Sequence, residues 1–442
     1  MKKVVLTLML AYGCGIQFLV AQIDDQSEKM KWFEEAKLGI FIHWGIYAVD
    51  GIDESWSFFN EYISHEDYMK QLDGFTAEHY DPEHWAKLIK KSGAKYAVIT
   101  SKHHDGVALW ETKSSELSVV KKTPAERDLI APLMKALEKE DVKKGLYYSV
   151  LDWSHQDYDN FTRNKKRYEN DPKRFAKFVD FNFSQLKELS STFNPDLYWF
   201  DGDWEHSGEE WKSKELLETL KSYNPNIIVN SRIGGGYGDY ATPEQGVPVS
   251  RPSDPYWELC ITTNNNWGYQ MTDTAYKTPS ELLRIFVGCL QKGGNMLMNI
   301  GPKADGTIPK EAESILEEFG RWTRKHESAI YQTKPGIPEG HVFAPTTLSK
   351  DSTVLYVYLD YKVNESLAIK GLKNSVNRIW VVGDGRKLNY KSVGKQYWSE
   401  VPGILYVDIP DEVYDPQITV LAILLDGPIE LYTEAGHVIE SN

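Results

Sequence analysis

Six short stretches of this chain bring acids, imidazoles and aromatic rings to spacings that could place them in one site. His43 and Trp44 end LGIFIHWG, and His103, His104 and Asp105 follow YAVITSK. Tyr147 and Asp152 lie in KKGLYYSVLDW, Trp199, Asp201 and Asp203 in LYWFDGDW, and Arg232 ends NIIVNSR. The sixth, GDYATPEQGVPVSRPSDPYWELC, adds Asp239, Glu244 and Glu258. Imidazoles with carboxylates raise the possibility of a metal, but there is no HxH, HExxH or paired CxxC. Neighbouring residues on an extended chain point to opposite sides, which argues against His103 and His104 sharing a metal ion. Carboxylate chemistry remains, with one acid as nucleophile and another as proton donor. Asp201, at a strand end between Trp199 and Trp204, suits a fixed nucleophile. Asp203 would face the same way if the strand ran on, but Gly202 is placed to turn the chain, and residue chemistry alone leaves both open. For the donor, Glu244 sits on a Pro-bearing loop, whereas Glu258 begins a strand, farther from the reacting face.

The elements that must hold these residues alternate. Apolar runs at Leu38–His43, Tyr96–Ser101, Gly145–Val150, Leu197–Phe200, Ile227–Asn230, Glu258–Thr262 and Met296–Ile300 read as strands buried on both faces. Amphipathic stretches separate them: a helix opened by Asp81 and Pro82, then Asp128–Glu140, Arg174–Leu189, Lys214–Tyr223, Ser280–Gln291 and Lys310–Lys325. Such alternation predicts parallel strands with crossover helices, an α/β fold that closes most easily as a (β/α)8-like barrel of the TIM type. In that architecture reacting groups sit at the C-terminal ends of strands. Any one of these polar residues has a structural reading; five successive strands ending in them favour a site. After Thr333 the turn-rich KPGIPEG leads into alternating runs such as STVLYVYLDY and ITVLAILLDG, which predict an antiparallel β-sandwich. The expected division is a signal segment at 1–21, a barrel domain at 22–335 and a sandwich domain at 340–442.

Bulk properties narrow the function. Lys2, Lys3, an apolar run and Ala21 read as a bacterial secretory signal, so the expected location is periplasmic or secreted. Cleavage after Ala21 is favoured over lipid attachment at Cys14, because Ala11 stands where a lipoprotein signal has Leu or a branched residue. Cys260 and Cys289 beyond it form no disulfide framework and read as buried thiols. A net charge of -14 argues against a nucleic-acid partner, and no further apolar segment is long enough to span a membrane. The 14 Trp and 26 Tyr suit sugar faces, apolar on one side and hydroxylated at the edge. With paired carboxylates they point to hydrolysis of a glycosidic bond.

The motifs KLGIFIHWGIY, SKHHDGVALW, GLYYSVLDW, LYWFDGDW, a TPE loop, WELC with NNNWGY, and GGNMLMNIGPKADGTIP occur in order over residues 30 to 335. In this the chain resembles glycoside hydrolase family 29, the retaining α-L-fucosidases. The resemblance implies a (β/α) barrel with a C-terminal sandwich, exo-hydrolysis of terminal α-L-fucosyl residues from a glycan through a covalent glycosyl-enzyme, and no cofactor or metal. Carried over by motif, Asp201 would be the nucleophile. His43, His103, His104, Tyr147, Trp199 and Arg232 would hold the sugar, with Trp56 near its methyl group. Glu244 would be the acid/base and Glu258 its runner-up. Val107 after HHDG and Ser55 beside Trp56 depart from the family's usual aromatic and acid. They leave a related sugar such as α-L-galactose open; a separate alternative is a glycan-binding protein on the same fold without activity, since the C-terminal sandwich alone could bind glycans.

Overall fold

The computed structural model describes residues 28–434. The expected signal segment lies outside them. Seven strands form one parallel sheet: β1 Leu38–Ile42, β2 Tyr96–Lys102, β3 Lys143–Ser149, β4 Leu197–Asp201, β5 Ile228–Val229, β6 Glu258–Thr262 and β7 Asn295–Ile300. Their order is β5-β4-β3-β2-β1-β7-β6, so strands adjacent in sequence are adjacent in space and the ends of the series meet at β1 and β7. The runs LGIFI, YAVITSK, LYWFD, ELCIT and NMLMNI are buried at every position, as strands covered on both faces must be.

The two free edges, β5 and β6, are joined by residues 239–245, which the sequence presented as a loop. Asp239 N donates to Val229 O at 2.8 Å and Ser231 N to Tyr240 O at 2.8 Å on one side. On the other, Glu258 N donates to Ala241 O at 2.9 Å and Cys260 N to Pro243 O at 3.1 Å. The segment closes the barrel without becoming a regular strand. Pro243 has no N–H to give a ladder, and Gln245 takes a left-handed φ of 62°.

The helices start where the sequence placed their caps. Asp81 accepts from His84 N at 3.0 Å ahead of Pro82–Ser92, and Asp171 from Arg174 N at 3.1 Å ahead of Pro172–Phe193. Thr278 and Glu281 form a reciprocal capping box for Pro279–Lys292. In all three, proline takes the first helical position, where no amide is needed. The helix expected from Asp128 begins at Ile130, because the Asp128 carboxylate accepts from Ile130 N at 2.9 Å and Ala131 N at 2.7 Å.

Beyond the barrel lie β8 Thr333–Pro335, β9 Thr346–Ser349, β10 Val354–Leu359, β11 Ser366–Ile369, β12 Val376–Val381, β13 Tyr390–Val393, β14 Ile404–Asp408 and β15 Thr419–Leu425. They pair antiparallel as a five-stranded sheet, β8-β9-β10-β15-β12, and a three-stranded one, β11-β14-β13. Side chains alternate as the strand period requires: Leu355, Val357, Leu421 and Ile423 fill the sandwich core. Tyr356, Tyr358, Val420 and Ala422 face the other way and join the barrel's own core. Cys260 and Cys289 are buried free thiols. No helix among the described residues is long and apolar enough to cross a membrane.

Candidate active site

A cavity of about 240 Å³ opens at the C-terminal ends of the barrel strands. His43 directly follows β1 and His103 follows β2. Tyr147 lies on β3, Trp199 and Asp201 on β4, and Arg232 in the short turn after β5. All six line the cavity, together with Trp56 and Glu244. The two-residue period of a strand explains the pairing of Trp199 with Asp201, since both point inward from one edge.

Asp201 is held from several sides. Its Oδ1 lies 2.9 Å from Arg232 Nη1, and its Oδ2 accepts from Tyr147 OH at 3.0 Å, with His104 Nε2 at 3.6 Å. The same guanidinium reaches Glu244 Oε2 through Nη2 at 2.8 Å and lies 4.7 Å from the centre of the Trp199 ring. One rigid cation thus bridges two carboxylates from different elements. Burial alone would lower the Arg232 pKa, but Asp201 and Glu244 outweigh it and raise it. Burial and the Asp201 charge push the Tyr147 phenol up, so it remains a donor. Asp203 lies beyond Gly202, whose left-handed φ of 89° turns the chain away from the strand direction. Burial, then the charge of Asp201, raises the Asp203 pKa.

Burial favours the neutral form of the three histidines at the site. Burial lowers His43 to about 4 against the opposing bond to Asn299, and it lowers His104 to about 4 against Asp201. Burial likewise lowers His103, helped by the other two rings. The expected divergence of His103 and His104 does not hold: their ring centres are 4.3 Å apart. The strand ends at Lys102, so the alternation that separates neighbours no longer applies. His104 stands behind Asp201 rather than in the cavity lining. Among the described residues no group of three or more His, Cys, Asp or Glu is arranged to hold a metal ion.

Glu258 is not brought to the cavity. It is fully buried within the barrel, accepting from Trp199 Nε1 at 2.9 Å and from Tyr96 OH. Burial pushes its pKa up to about 7 against those two bonds. Its contacts make it a support for the Trp199 ring. Three further lining residues, Phe41, Trp204 and Trp267, were not singled out from the sequence as binding residues. Phe41 was within reach, standing on β1 two residues before His43. Trp204 lies half-exposed and stacked on Trp56, with ring centres 6.1 Å apart.

A family model described as alpha-L-fucosidase matches residues 19–328. The chain belongs to the alpha-L-fucosidase family. As a glycoside hydrolase of that family it is 32% identical over 375 residues to an alpha-L-fucosidase of Branchiostoma floridae, covering 78% of this chain and 82% of the relative. It is 32% identical over 386 residues to the tissue alpha-L-fucosidase of Homo sapiens, covering 80% of each. Among solved structures, alpha-L-fucosidase isoenzyme 1 from Paenibacillus thiaminolyticus superposes with a TM-score of 0.83 at 33% identity, over 91% of this chain and 100% of that one. A family 29 alpha-L-fucosidase from Bacteroides thetaiotaomicron, trapped as a covalent intermediate with 2-fluoro-fucosyl fluoride in a Glu-to-Gln variant, gives 0.80 at 27% identity, over 90% and 96%. These relatives fit the parallel barrel sheet with its antiparallel C-terminal sandwich.

Proposed function

We propose that this fucosidase is exo-acting and retaining, removing a terminal α-L-fucosyl residue from a glycan by double displacement. The observation that carries the reading is the single guanidinium of Arg232 bonded to both Asp201 and Glu244. Sharing one guanidinium keeps the two carboxylates close, which supports the near-set pair of a retaining glycosidase, roughly 5–5.5 Å apart, over the wider gap that admits a water. Asp201 attacks the anomeric carbon while Glu244 protonates the leaving oxygen; Glu244 then activates water to release the sugar. To donate, Glu244 leaves its ion pair with Arg232, takes up a proton from solvent and turns the resulting carboxylic acid to the leaving oxygen. Its place on the barrel-closing segment, with the side chain 39% exposed, allows that movement. The trapped intermediate of the Bacteroides thetaiotaomicron relative supports a covalent step. The cavity has room for one pyranose ring, with Trp56, Trp199 and Trp267 to face its apolar side. The signal-like pattern of residues 1–21 supports export, and the fucosylated glycan is the implied partner.

The test is release of a chromophore from an aryl α-L-fucoside. Asp201→Asn is expected to reduce kcat by about 10⁴-fold or more with the fold intact, as loss of a nucleophile does. Turnover within tenfold of wild type would sink the assignment. Glu244→Ala is expected to slow hydrolysis and to recover with azide, giving the retained glycosyl azide. Recovery in Glu258→Ala instead would move the acid to that residue, and the inverted azide would overturn retention.

A further inference from the structure

The three histidines at the site are each tied at Nδ1, but to partners of different character. His43 Nδ1 meets Asn299 Oδ1 at 2.7 Å, and Asn299 Nδ2 donates to Trp267 O at 2.7 Å. The amide is therefore fixed with its oxygen toward the ring, and His43 carries its proton on Nδ1. His104 Nδ1 meets Ser149 Oγ at 2.6 Å, and that hydroxyl donates to Leu151 O at 2.7 Å. Ser149 can thus only accept from the ring, so His104 is also protonated at Nδ1. His103 differs. Its Nδ1 meets Ser55 Oγ, and Ser55 is fully buried, its hydroxyl making no second hydrogen bond among the described residues. Were the ring to donate, the serine proton would be buried without a partner, which is the more expensive arrangement.

We propose that Ser55 is a specificity-setting positioning residue: by donating to Nδ1 it holds His103 as the Nε2–H tautomer, making His103 a donor beside His43, the other imidazole of the cavity lining, which is an acceptor. Burial, which keeps all three rings neutral, leaves each with one proton and hence one character at Nε2. Resting on the glycosidase reading, this gives the site a directional code. A sugar hydroxyl at His103 must accept, whereas one at His43 must donate; His104 stands behind Asp201 and takes no part in this reading. A misoriented hydroxyl then meets a lone pair with a lone pair or a proton with a proton.

Long-range nitrogen–proton correlation spectra of histidine-labelled protein read the tautomers directly. At pH 7 His103 is expected to show a protonated Nε2 and a bare Nδ1, with the reverse for His43 and His104. His103 protonated at Nδ1 in the folded wild type would overturn the proposal. Ser55→Ala is expected to abolish the tautomer bias of His103 and to lower kcat/KM on the aryl fucoside about tenfold, the scale of one buried hydrogen bond. Ser55→Thr, which keeps the hydroxyl, restores both. Unchanged tautomer and unchanged kcat/KM in Ser55→Ala would also overturn it. The spectra need no turnover, so a wrong substrate would leave the tautomer result standing, and the wild-type spectrum decides even where a variant does not fold.

Discussion

Among single residues, Asp201 and Glu258 show how the same functional group takes different work from its surroundings. Asp201 meets a guanidinium and a phenol at a cavity, while Glu258 is sealed between Tyr96 and Trp199. Burial raises Glu258 from 4.5 to about 7, so between those values the folded chain holds a proton that the unfolded chain has released. Folding then takes up a proton, and stability falls as pH rises through that window. Glu258→Gln removes the titration and keeps an acceptor for Trp199. The melting temperature of the variant relative to wild type is expected to shift in its favour from pH 4.5 to 7 and to level off above. The shift corresponds to at most about 3 kcal/mol. A difference independent of pH would refute this account.

At the scale of elements, the site depends on how strands end. Gly202 follows β4 at a φ of 89°, and a Cβ there would come 2.6 Å from Leu151 Cγ. Both its conformation and its surroundings therefore require glycine. Gly202→Ala is expected to cost about 1–3 kcal/mol and to lower kcat, because the strain falls beside Asp201. Denaturant unfolding and turnover check it together; stability and rate both at wild-type level would show that the turn tolerates a side chain. The segment 239–245 acts similarly, since its irregular backbone both closes the barrel and carries Glu244 to the cavity.

At the scale of the whole molecule, barrel and sandwich are joined by an apolar contact layer and by a charge cluster around the buried Asp415. Asp415 receives Arg321 Nη1 at 3.0 Å, Arg321 Nη2 at 2.8 Å and Lys325 Nζ at 2.7 Å, and Trp322 Nε1 donates to Ile418 O at 2.8 Å. Burial would raise the Asp415 pKa, but the bonds from Arg321 and Lys325 carry it well below the usual carboxylate range. Its contribution is present above about pH 4 and fades as pH falls further. Asp415→Ala is expected to destabilise the protein by about 1–2 kcal/mol, because Arg321 and Lys325 keep access to solvent, while leaving KM unchanged, as seen by calorimetry alongside kinetics. A raised KM at wild-type stability would mean that the sandwich acts on the cavity instead of on the fold.

The sequence by itself determined the alternation of strands and helices, the caps at Asp81, Asp171 and Thr278, and the array of polar residues at strand ends. These depend on periodicity and on contacts a few residues apart, which a linear pattern records. The motifs added the family. Only the tertiary structure decided which acid of one stretch reaches the cavity, that His103 and His104 converge, and that Trp204 and Trp267 line it. Those outcomes come from contacts between distant parts of the chain, such as His43 with Asn299 and Asp201 with Arg232. They also depend on a segment with no strand pattern that pairs on both sides because two sheet edges leave it a gap to fill.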